Sequence, residues 1–345
     1  MKNEFKLMNL KGTNDFLPEE QIIRNKIVDT LKKVFESYGY LPLETPILCY
    51  YELLASKYAG GSEILKEVYK LSDQADRLIG LRYDLTVPFS KVLGMNKGII
   101  LPFKRYEIGK VFRNGPVKAG RAREFYQCDV DACGLESPYA EVEYFSMTKD
   151  VFEALDIEVE VHYNNRKFLY GLLEHLNVNK DDISKFIVCV DKLDKLSEED
   201  VKGELKEFVN GNIIEEVFGY FKLDFNTLFD KLNESNVTLL KEGLDELNKL
   251  NILLKELSMD KLCIFTPFLA RGLDIYTGSV WEIFTKDKSF TSAVGGGGRY
   301  DNIITKFLND GQVYPAIGFS FGLEPIYELL KTRESFQVNK YDIYV

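Results

Sequence analysis

The sequence has few of the residues on which metal and nucleophile chemistry commonly depends. Only two histidines, His162 and His175, occur in 345 residues, and the five cysteines are scattered without a CxxC pair. This pattern disfavours a zinc site, a disulfide framework and a Ser-His-Asp triad. No apolar run approaches the roughly 20 residues of a membrane span, and the N-terminus does not read as a secretory signal, so we expect a cytoplasmic protein.

Two common nucleotide-binding motifs are missing as well. The chain contains neither GxxxxGK[ST] nor GxGxxG, which excludes a P-loop and a Rossmann fingerprint. Its net charge of −10 argues against a protein that coats nucleic acid, although it leaves room for a local basic patch.

The distribution of proline and of apolar residues divides the chain. Residues 18–38 have helical spacing, with Pro18 in the first turn and Gly39 at the stop. Strand-like runs follow, then a helix near 138–155 and a strand over 157–163. No proline occurs between Pro138 and Pro267, and within that stretch residues 165–258 read as successive helices before strands return at 261–322. This order predicts an α+β fold with a helical insertion. We predict a core made of residues 1–165 and 259–335. Residues 166–258 form the predicted insertion, and residues 336–345 begin a predicted further domain.

Polar residues follow one face of a predicted strand in REFYQCDVD. Period-two alternation places Phe125, Gln127, Asp129 and Asp131 on the same side. The preceding strand ends at Arg113, and the connection to REFYQCDVD contains lysine and arginine. Arginines that bind phosphate beside carboxylates that bind an ammonium suit a nucleotide plus an amino acid. A solvated hairpin with surface ion pairs explains the same pattern.

A second stretch, ARGLDIYTGSVWEIF (270–284), has strand composition but contains Arg271, Asp274 and Glu282. Charges on an apolar strand need a partner, because an unpaired buried charge costs several kcal/mol. The composition of this stretch does not show what the three charges face.

Three further stretches carry weaker patterns. In AIGFSFGLE, Gly318, Ser320 and Gly322 leave one strand face without large side chains, which suits a flat ligand or close helix packing. The run GGGGRYD either cradles an anion or a ligand edge, or forms a hairpin loop. In LRYDLTVPF, Asp84 and Thr86 lie at a strand-to-helix junction, where aspartate is also a common N-cap.

In their order along the chain, these stretches resemble histidyl-tRNA synthetases. The resemblance runs from about residue 8 to residue 330 and includes KGTNDFLP, LRYDLTVP, GRAREFYQCDVD, ARGLDIYTG, GGRYD and GFSFGLE. It implies a class II synthetase fold, in which helices flank an antiparallel sheet. It also implies ATP and Mg²⁺ as cofactors, histidine and tRNA(His) as partners, and a homodimer without membrane contact.

The resemblance also implies roles for individual residues. Arg113 would contact the α-phosphate of ATP, Arg121 the outer phosphates and Phe125 the adenine, with Gly322 in the same site. Arg271 would face the ligand and stabilise charge on the α-phosphate as the catalytic residue. Asp274 and Glu282 would be structural and paired. Histidine would be bound by a set of polar side chains: Asp84, Thr86, Gln127, Asp131 and Tyr276.

Some positions depart from the family pattern. Pro325 replaces the arginine that usually follows GLE, and Asn114-Gly115 replace an acidic residue near the adenine amino group. Ala122 and Ile275 replace aromatic residues, and Lys118 is a candidate to compensate for the lost charge. These losses keep an alternative open: a non-aminoacylating, histidine-sensing regulatory subunit of ATP phosphoribosyltransferase.

Overall fold

The computed structural model describes residues 7–56, 63–117, 122–136, 138–271, 275–288, 290, 292–333 and 336. Within them, eleven strands form two sheets. The strands are β1 (Leu41–Pro42), β2 (Leu48–Tyr50), β3 (Lys70–Ser72), β4 (Leu78–Leu81), β5 (Phe103–Phe112), β6 (Glu124–Cys133), β7 (Val159–Asn165), β8 (Cys263–Phe265), β9 (Ser279–Thr285), β10 (Gly295–Arg299) and β11 (Ala316–Gly322).

The large sheet has eight strands in the order β1-β5-β6-β11-β10-β9-β7-β8. Its centre is antiparallel, from β5 to β7, whereas the short edge strands β1 and β8 pair in parallel. The second sheet, β2-β4-β3, is small and antiparallel. The mixed α/β architecture with a mainly antiparallel sheet confirms the predicted fold class.

Twelve α-helices and two short 3₁₀ helices lie in the described residues. The α-helices are α1 (Pro18–Ser37), α2 (Tyr51–Ser56), α3 (Thr86–Met95), α4 (Tyr139–Ala154), α5 (Arg166–His175), α6 (Lys180–Val190), α7 (Glu198–Leu205), α8 (Gly211–Phe221), α9 (Phe225–Leu232), α10 (Thr238–Glu256), α11 (Asp301–Leu308) and α12 (Leu323–Leu330). The 3₁₀ helices span Glu63–Glu67 and Asp191–Asp194. None of these helices combines the length and apolar character needed to cross a bilayer.

The α1 helix begins at Pro18, as predicted, and ends one residue before the predicted end. Gly39 follows with φ +77°, a left-handed conformation that glycine adopts without strain and that stops the helix. The apolar stripe of α1 includes Ile27, Leu31 and Phe35, which are fully buried. It packs on α4 and α12 and covers one face of the large sheet.

Alternation along the central strands separates an apolar face from a polar face. Val130, Trp281 and Phe319 are buried on the apolar face, where Trp281 lies 5.3 Å from the ring of Phe145 on α4. The intervening residues of the same strands point to the opposite, polar face. Because helices cover the apolar face, the site must lie on the polar face.

Residues 166–256 fold as the helices α5 to α10, as the sequence predicts for 165–258. Helices α5 and α10 pack closely: a Cβ at Gly171 would lie 2.5 Å from the Cα of Leu240. The α10 helix also packs on α4 and β7, which connects this helical segment to the large sheet. Whether residues 166–258 form a separate domain remains a prediction.

Candidate active site

Two adjoining cavities lie on the polar face of the large sheet. The larger has a volume of about 770 Å³, and its walls include Arg113, Phe125 and Gly322. The smaller has a volume of about 220 Å³, and its walls include Asp84 and Tyr276. Five residues line both cavities: Arg113, Gln127, Arg271, Gly296 and Ser320. The combined space therefore suits two ligands, or two parts of one ligand, that meet between two arginines.

The structure brings together nearly all the side chains that the sequence analysis assigned to the site. All five predicted histidine-binding residues line the smaller cavity: Asp84, Thr86, Gln127, Asp131 and Tyr276. Arg113, Phe125, Arg271 and Gly322, predicted for ATP binding and catalysis, line the larger cavity. Arg121 lies outside the described residues. The roles of these residues remain predictions.

Arg113 and Phe125 lie side by side at one end of β5 and β6. The Arg113 guanidinium carbon is 5.1 Å from the centroid of the Phe125 ring, and its Nε donates to the carbonyl oxygen of Tyr83 at 3.2 Å. This arrangement fixes a cation next to an aromatic ring. The cation suits a nucleotide phosphate, and the ring suits stacking with a base.

Arg271 reaches the junction of the two cavities from outside the sheet. Its Nη1 donates to the carbonyl oxygen of Trp281 at 3.3 Å and lies 3.8 Å from Glu282 Oε1. The guanidinium carbon lies 5.5 Å from the centroid of the Tyr276 ring. The expected strand over 270–284 is shorter than its composition suggests, since β9 begins only at Ser279. Asp274 lies outside the described residues, so its pairing stays a prediction.

A buried ionic network supports the floor of the smaller cavity. Arg82 Nη1 lies 2.7 Å from Glu107 Oε1, and Glu107 Oε2 lies 3.7 Å from Arg105 Nη1. Arg105 Nη2 then lies 2.7 Å from Asp131 Oδ2, and the hydroxyl of Tyr300 donates to Asp131 Oδ1. Buried charges of this kind need excellent geometry, because removal of one partner leaves another uncompensated. The network therefore fixes the position of Asp131.

The run of four glycines forms strand β10, so the hairpin-loop alternative was wrong. A Cβ at Gly296 would overlap Arg271 Nη1, and a Cβ at Gly318 on β11 would overlap Asp131 Oδ1. Glycine on these two strands thus lets side chains from other elements cross the sheet. The Arg299 guanidinium at the end of β10 pairs with Glu141 at 3.0 Å, so this side chain is structural and does not bind an anion.

Asp84 combines two expected properties. Its Oδ1 accepts a hydrogen bond from the backbone nitrogen of Val87 at 3.0 Å in the first turn of α3. It is 7% exposed and lines the smaller cavity. The capping contact and the ligand-facing position therefore coexist in one side chain.

The structure places other groups where the sequence departs from the family pattern. Pro325 lines the larger cavity beside Arg24 of α1, which is 1% exposed and whose Nη2 donates to Glu324 Oε1 at 2.9 Å. A Cβ at Gly115 would lie 2.7 Å from Glu67 Oε1, so a carboxylate from another element stands beside that position. A cation, Arg24, therefore lines the same cavity as Pro325, and an anion, Glu67, lies beside Gly115. Lys118 lies outside the described residues.

Sequence reasoning gave no role to Arg105 and Tyr300, and it named Asp129 only as one of two carboxylates on the polar strand face. Asp129 and Tyr300 line the smaller cavity, and Arg105 lies below it in the ionic network. Strand alternation did place Asp129 and Asp131 on one face, but the contacts of Tyr300 depend on a residue 169 positions away. Across the described residues, no group of three or more His, Cys, Asp or Glu side chains is arranged to hold a metal ion.

Comparison with known proteins agrees with this geometry. The family model described as "Histidyl-tRNA synthetase" matches residues 12–326. The chain is 50% identical over 334 residues to "Histidine--tRNA ligase 1" of Bacillus cereus (strain ATCC 10987 / NRS 248), covering 95% of this chain and 76% of that relative. It is 47% identical to "Histidine--tRNA ligase 2" of Shouchella clausii, over 94% of this chain and 77% of the relative.

Solved structures show the same relationship. The crystal structure of histidyl-tRNA synthetase from Nostoc sp. PCC 7120 superposes with a TM-score of 0.83 at 28% identity, covering 97% of this chain and 77% of that one. A structure titled ATP phosphoribosyltransferase regulatory subunit/histidyl-tRNA synthetase from Bacillus halodurans also gives 0.83, but at 21% identity, which indicates the fold alone. The family match over most of the length and the identity near one half leave one assignment: the chain belongs to the histidyl-tRNA synthetase family, among the class II aminoacyl-tRNA synthetases.

Proposed function

We propose that this chain activates histidine with ATP to form histidyl-adenylate and then transfers histidine to tRNA(His). The observation that carries the proposal is the pair of cavities joined at Arg113, Gln127 and Arg271. ATP in the larger cavity and histidine in the smaller one would place the amino acid carboxylate and the α-phosphate between the two arginines.

The reaction needs positioning and charge neutralisation more than covalent help from the protein. A carboxylate oxygen of histidine attacks the α-phosphorus, the bond to the bridging oxygen breaks, and pyrophosphate leaves with the electron pair. Arg113 and Arg271 stabilise negative charge on the α-phosphate, Phe125 stacks on adenine, and Arg121 binds the outer phosphates. Arg271 is preorganised by the carbonyl of Trp281, so little reorganisation is needed when charge develops.

Histidine lies in the smaller cavity, where Asp84, Thr86, Gln127, Asp131 and Tyr276 bind it. The synthetase family uses ATP with a divalent metal, and we propose Mg²⁺ here. Magnesium binds through one or two carboxylates plus substrate phosphates, and it neutralises phosphate charge. Glu282 and Glu324 are carboxylates that line the larger cavity and would hold it.

The exposed face of the small sheet supports a homodimer, and we propose a cytoplasmic location. Leu48 and Tyr50 on β2 and Leu71 on β3 share one face, and they are 55%, 61% and 42% exposed. An apolar patch of this kind marks an interaction surface, and we assign it to a second copy of this chain. Light scattering should give twice the monomer mass of 39.7 kDa. A monomeric mass at micromolar concentration would contradict the assignment.

Histidine-dependent exchange of pyrophosphate into ATP tests the proposed activity directly. We expect exchange with histidine and none with other amino acids. If exchange is absent while histidine binds, the chain is the histidine-sensing regulatory subunit, and a search for its phosphoribosyltransferase partner follows. Absence of both exchange and histidine binding would contradict both functions.

A further inference from the structure

Two adjacent asparagines, Asn164 and Asn165, end strand β7, and both are fully buried. Asn165 faces the helices that cover the apolar face of the large sheet. Its Oδ1 accepts hydrogen bonds from the backbone nitrogens of Lys167 and Phe168 in the first turn of α5, and its Nδ2 donates to Glu246 of α10. Because successive side chains on a strand point to opposite faces, Asn164 points to the polar face.

The Asn164 amide contacts the loop that leads from β8 to Arg271. Its Nδ2 donates to the carbonyl oxygens of Pro267 and Leu269, at 2.9 Å in both cases. Backbone carbonyls can only accept, so both N–H bonds of this amide are used on the loop. Leu269 lies two residues before Arg271, and Ala270 between them is buried. The amide therefore fixes the backbone immediately before the arginine.

Arg271 is fixed a second time at the far end of its side chain. Its Nη1 donates to the carbonyl oxygen of Trp281 at 3.3 Å, in the space that the absence of a side chain at Gly296 leaves free. A long side chain keeps one position only when its backbone and its tip are both held, and catalytic groups need positions fixed to about 0.5 Å. Asn164 supplies the backbone half of this support.

We propose that Asn164 is a positioning residue for Arg271: its two hydrogen bonds fix the loop from which the guanidinium reaches the junction of the two cavities. Asn164 is not among the residues that line either cavity, so it acts through the arginine and not on a substrate. The inference rests on the proposed function. A purely structural asparagine would affect only stability, whereas a residue that positions Arg271 affects the rate with both substrates bound.

The variant Asn164→Asp tests the donor alone. It keeps the size of the side chain and replaces the NH₂ group with an oxygen that repels the two carbonyl oxygens. Histidine-dependent pyrophosphate exchange is measured per active site, and the burst of histidyl-adenylate counts the sites. We expect kcat to fall about tenfold to a hundredfold, since a misplacement of about 1 Å has effects of this size. The KM values for histidine and ATP should stay within about threefold. Asn164→Ala removes the whole amide and should give the same pattern.

Asn165→Ala is the matched control on the other face of the same strand. It removes the cap of α5 and the contact with Glu246, but it leaves the hydrogen bonds of the Arg271 loop in place. Its melting temperature should fall, because a helix loses its N-cap. Its kcat per active site should stay within about threefold of the unmodified chain. A loss of kcat as large as in the Asn164 variants would assign their effect to general destabilisation and overturn the inference.

A double variant tests whether Asn164 acts through Arg271. Gly296→Ala displaces the same guanidinium from its tip. Asn164→Ala should therefore lower kcat by a smaller factor in the Gly296→Ala background than in the unmodified chain. Equal factors in the two backgrounds, an unchanged kcat in both Asn164 variants, or a loss confined to KM would each overturn the inference. If the unmodified chain catalysed exchange and these variants did so equally well, only this inference would fail. An unmodified chain without exchange would reject the proposed function as well.

Discussion

The Nη1 atom of Arg271 occupies the space that a Cβ at residue 296 would need. The arginine can therefore cross β10 only because residue 296 is glycine. This contact joins the ARGLD segment to the glycine strand, two motifs that are separated by more than 20 residues in the sequence. Glycine at position 296 thus has a steric role in placing the cation.

Gly296→Ala should therefore lower histidine-dependent pyrophosphate exchange by about 10²–10³-fold, the range found when one preorganised donor is lost. The added methyl group displaces the guanidinium without removing it. Gly219→Ala on α8 is the matched control, since a Cβ there meets no atom within 4 Å and exchange should not change. Full exchange in Gly296→Ala with an intact fold would show that Arg271 functions without glycine at position 296.

Arg271→Ala should abolish exchange while histidine affinity stays within several-fold of the unmodified chain. A group that acts on the developing charge of the transition state affects the rate more than ground-state binding. Equilibrium binding of histidine and the exchange rate are measured on the same preparation. Equal losses in both quantities would assign Arg271 to substrate binding.

Sequence alone predicted the strand faces because alternation depends only on neighbouring residues. It placed Gln127, Asp129 and Asp131 on one side of β6, and the register of β6 with β5 and β11 confirms this. Helix α1 and the helices between Pro138 and Pro267 were predicted for the same reason. Their apolar spacing and the absence of proline are local properties.

The contacts that distinguish Asp129 from Asp131 are not local. Arg105 and Tyr300 come from elements that meet β6 only in the folded sheet, so no short pattern reveals which carboxylate pairs directly with Arg105. The same limit applies to the glycine run. Four glycines have low strand propensity. They nevertheless form a strand because β9 and β11 pair with them on both sides.

The pH dependence of stability tests whether burial of the Asp129 charge is unfavourable, and it does so without an activity measurement. Burial, followed by the charge of Asp131, raises the pKa of Asp129 to about 7, whereas an aspartate in an unfolded chain has a pKa near 3.9. The folded state thus binds the proton of Asp129 more tightly than the unfolded chain does. The contribution of this proton to the free energy of unfolding is therefore complete below about pH 4 and is lost as pH rises through 7. The charged and titratable groups around it are Arg105, Glu107, Asp131, Asp84, Arg113, Arg271, Tyr276 and Tyr300.

Asp129→Asn should therefore raise the melting temperature of the free protein by a few degrees at pH 8. The difference should shrink towards pH 5, where the native aspartate is protonated. Melting curves at four pH values measure this effect, with Glu216→Gln on the exposed side of α8 as the control for loss of one charge. A variant less stable than the unmodified chain at pH 8 would contradict the unfavourable burial of this charge.

The ion pair between Arg299 and Glu141 should be one of the most important polar contacts for stability. Glu141 is fully buried, and its two oxygens lie 3.0 and 3.2 Å from Arg299 Nε and Nη2. Glu141→Gln leaves a buried guanidinium without its main counter-charge, so the free energy of unfolding should fall by about 3–5 kcal/mol in urea titrations. The exposed pair of Lys149 and Glu153 provides the control, and Glu153→Gln should leave the midpoint nearly unchanged.

The double replacement Glu141→Leu with Arg299→Met should recover much of the loss, because an apolar pair of similar size has no charge to compensate. Equal destabilisation in the single and double variants would instead show that the shape of the pair matters more than its charge.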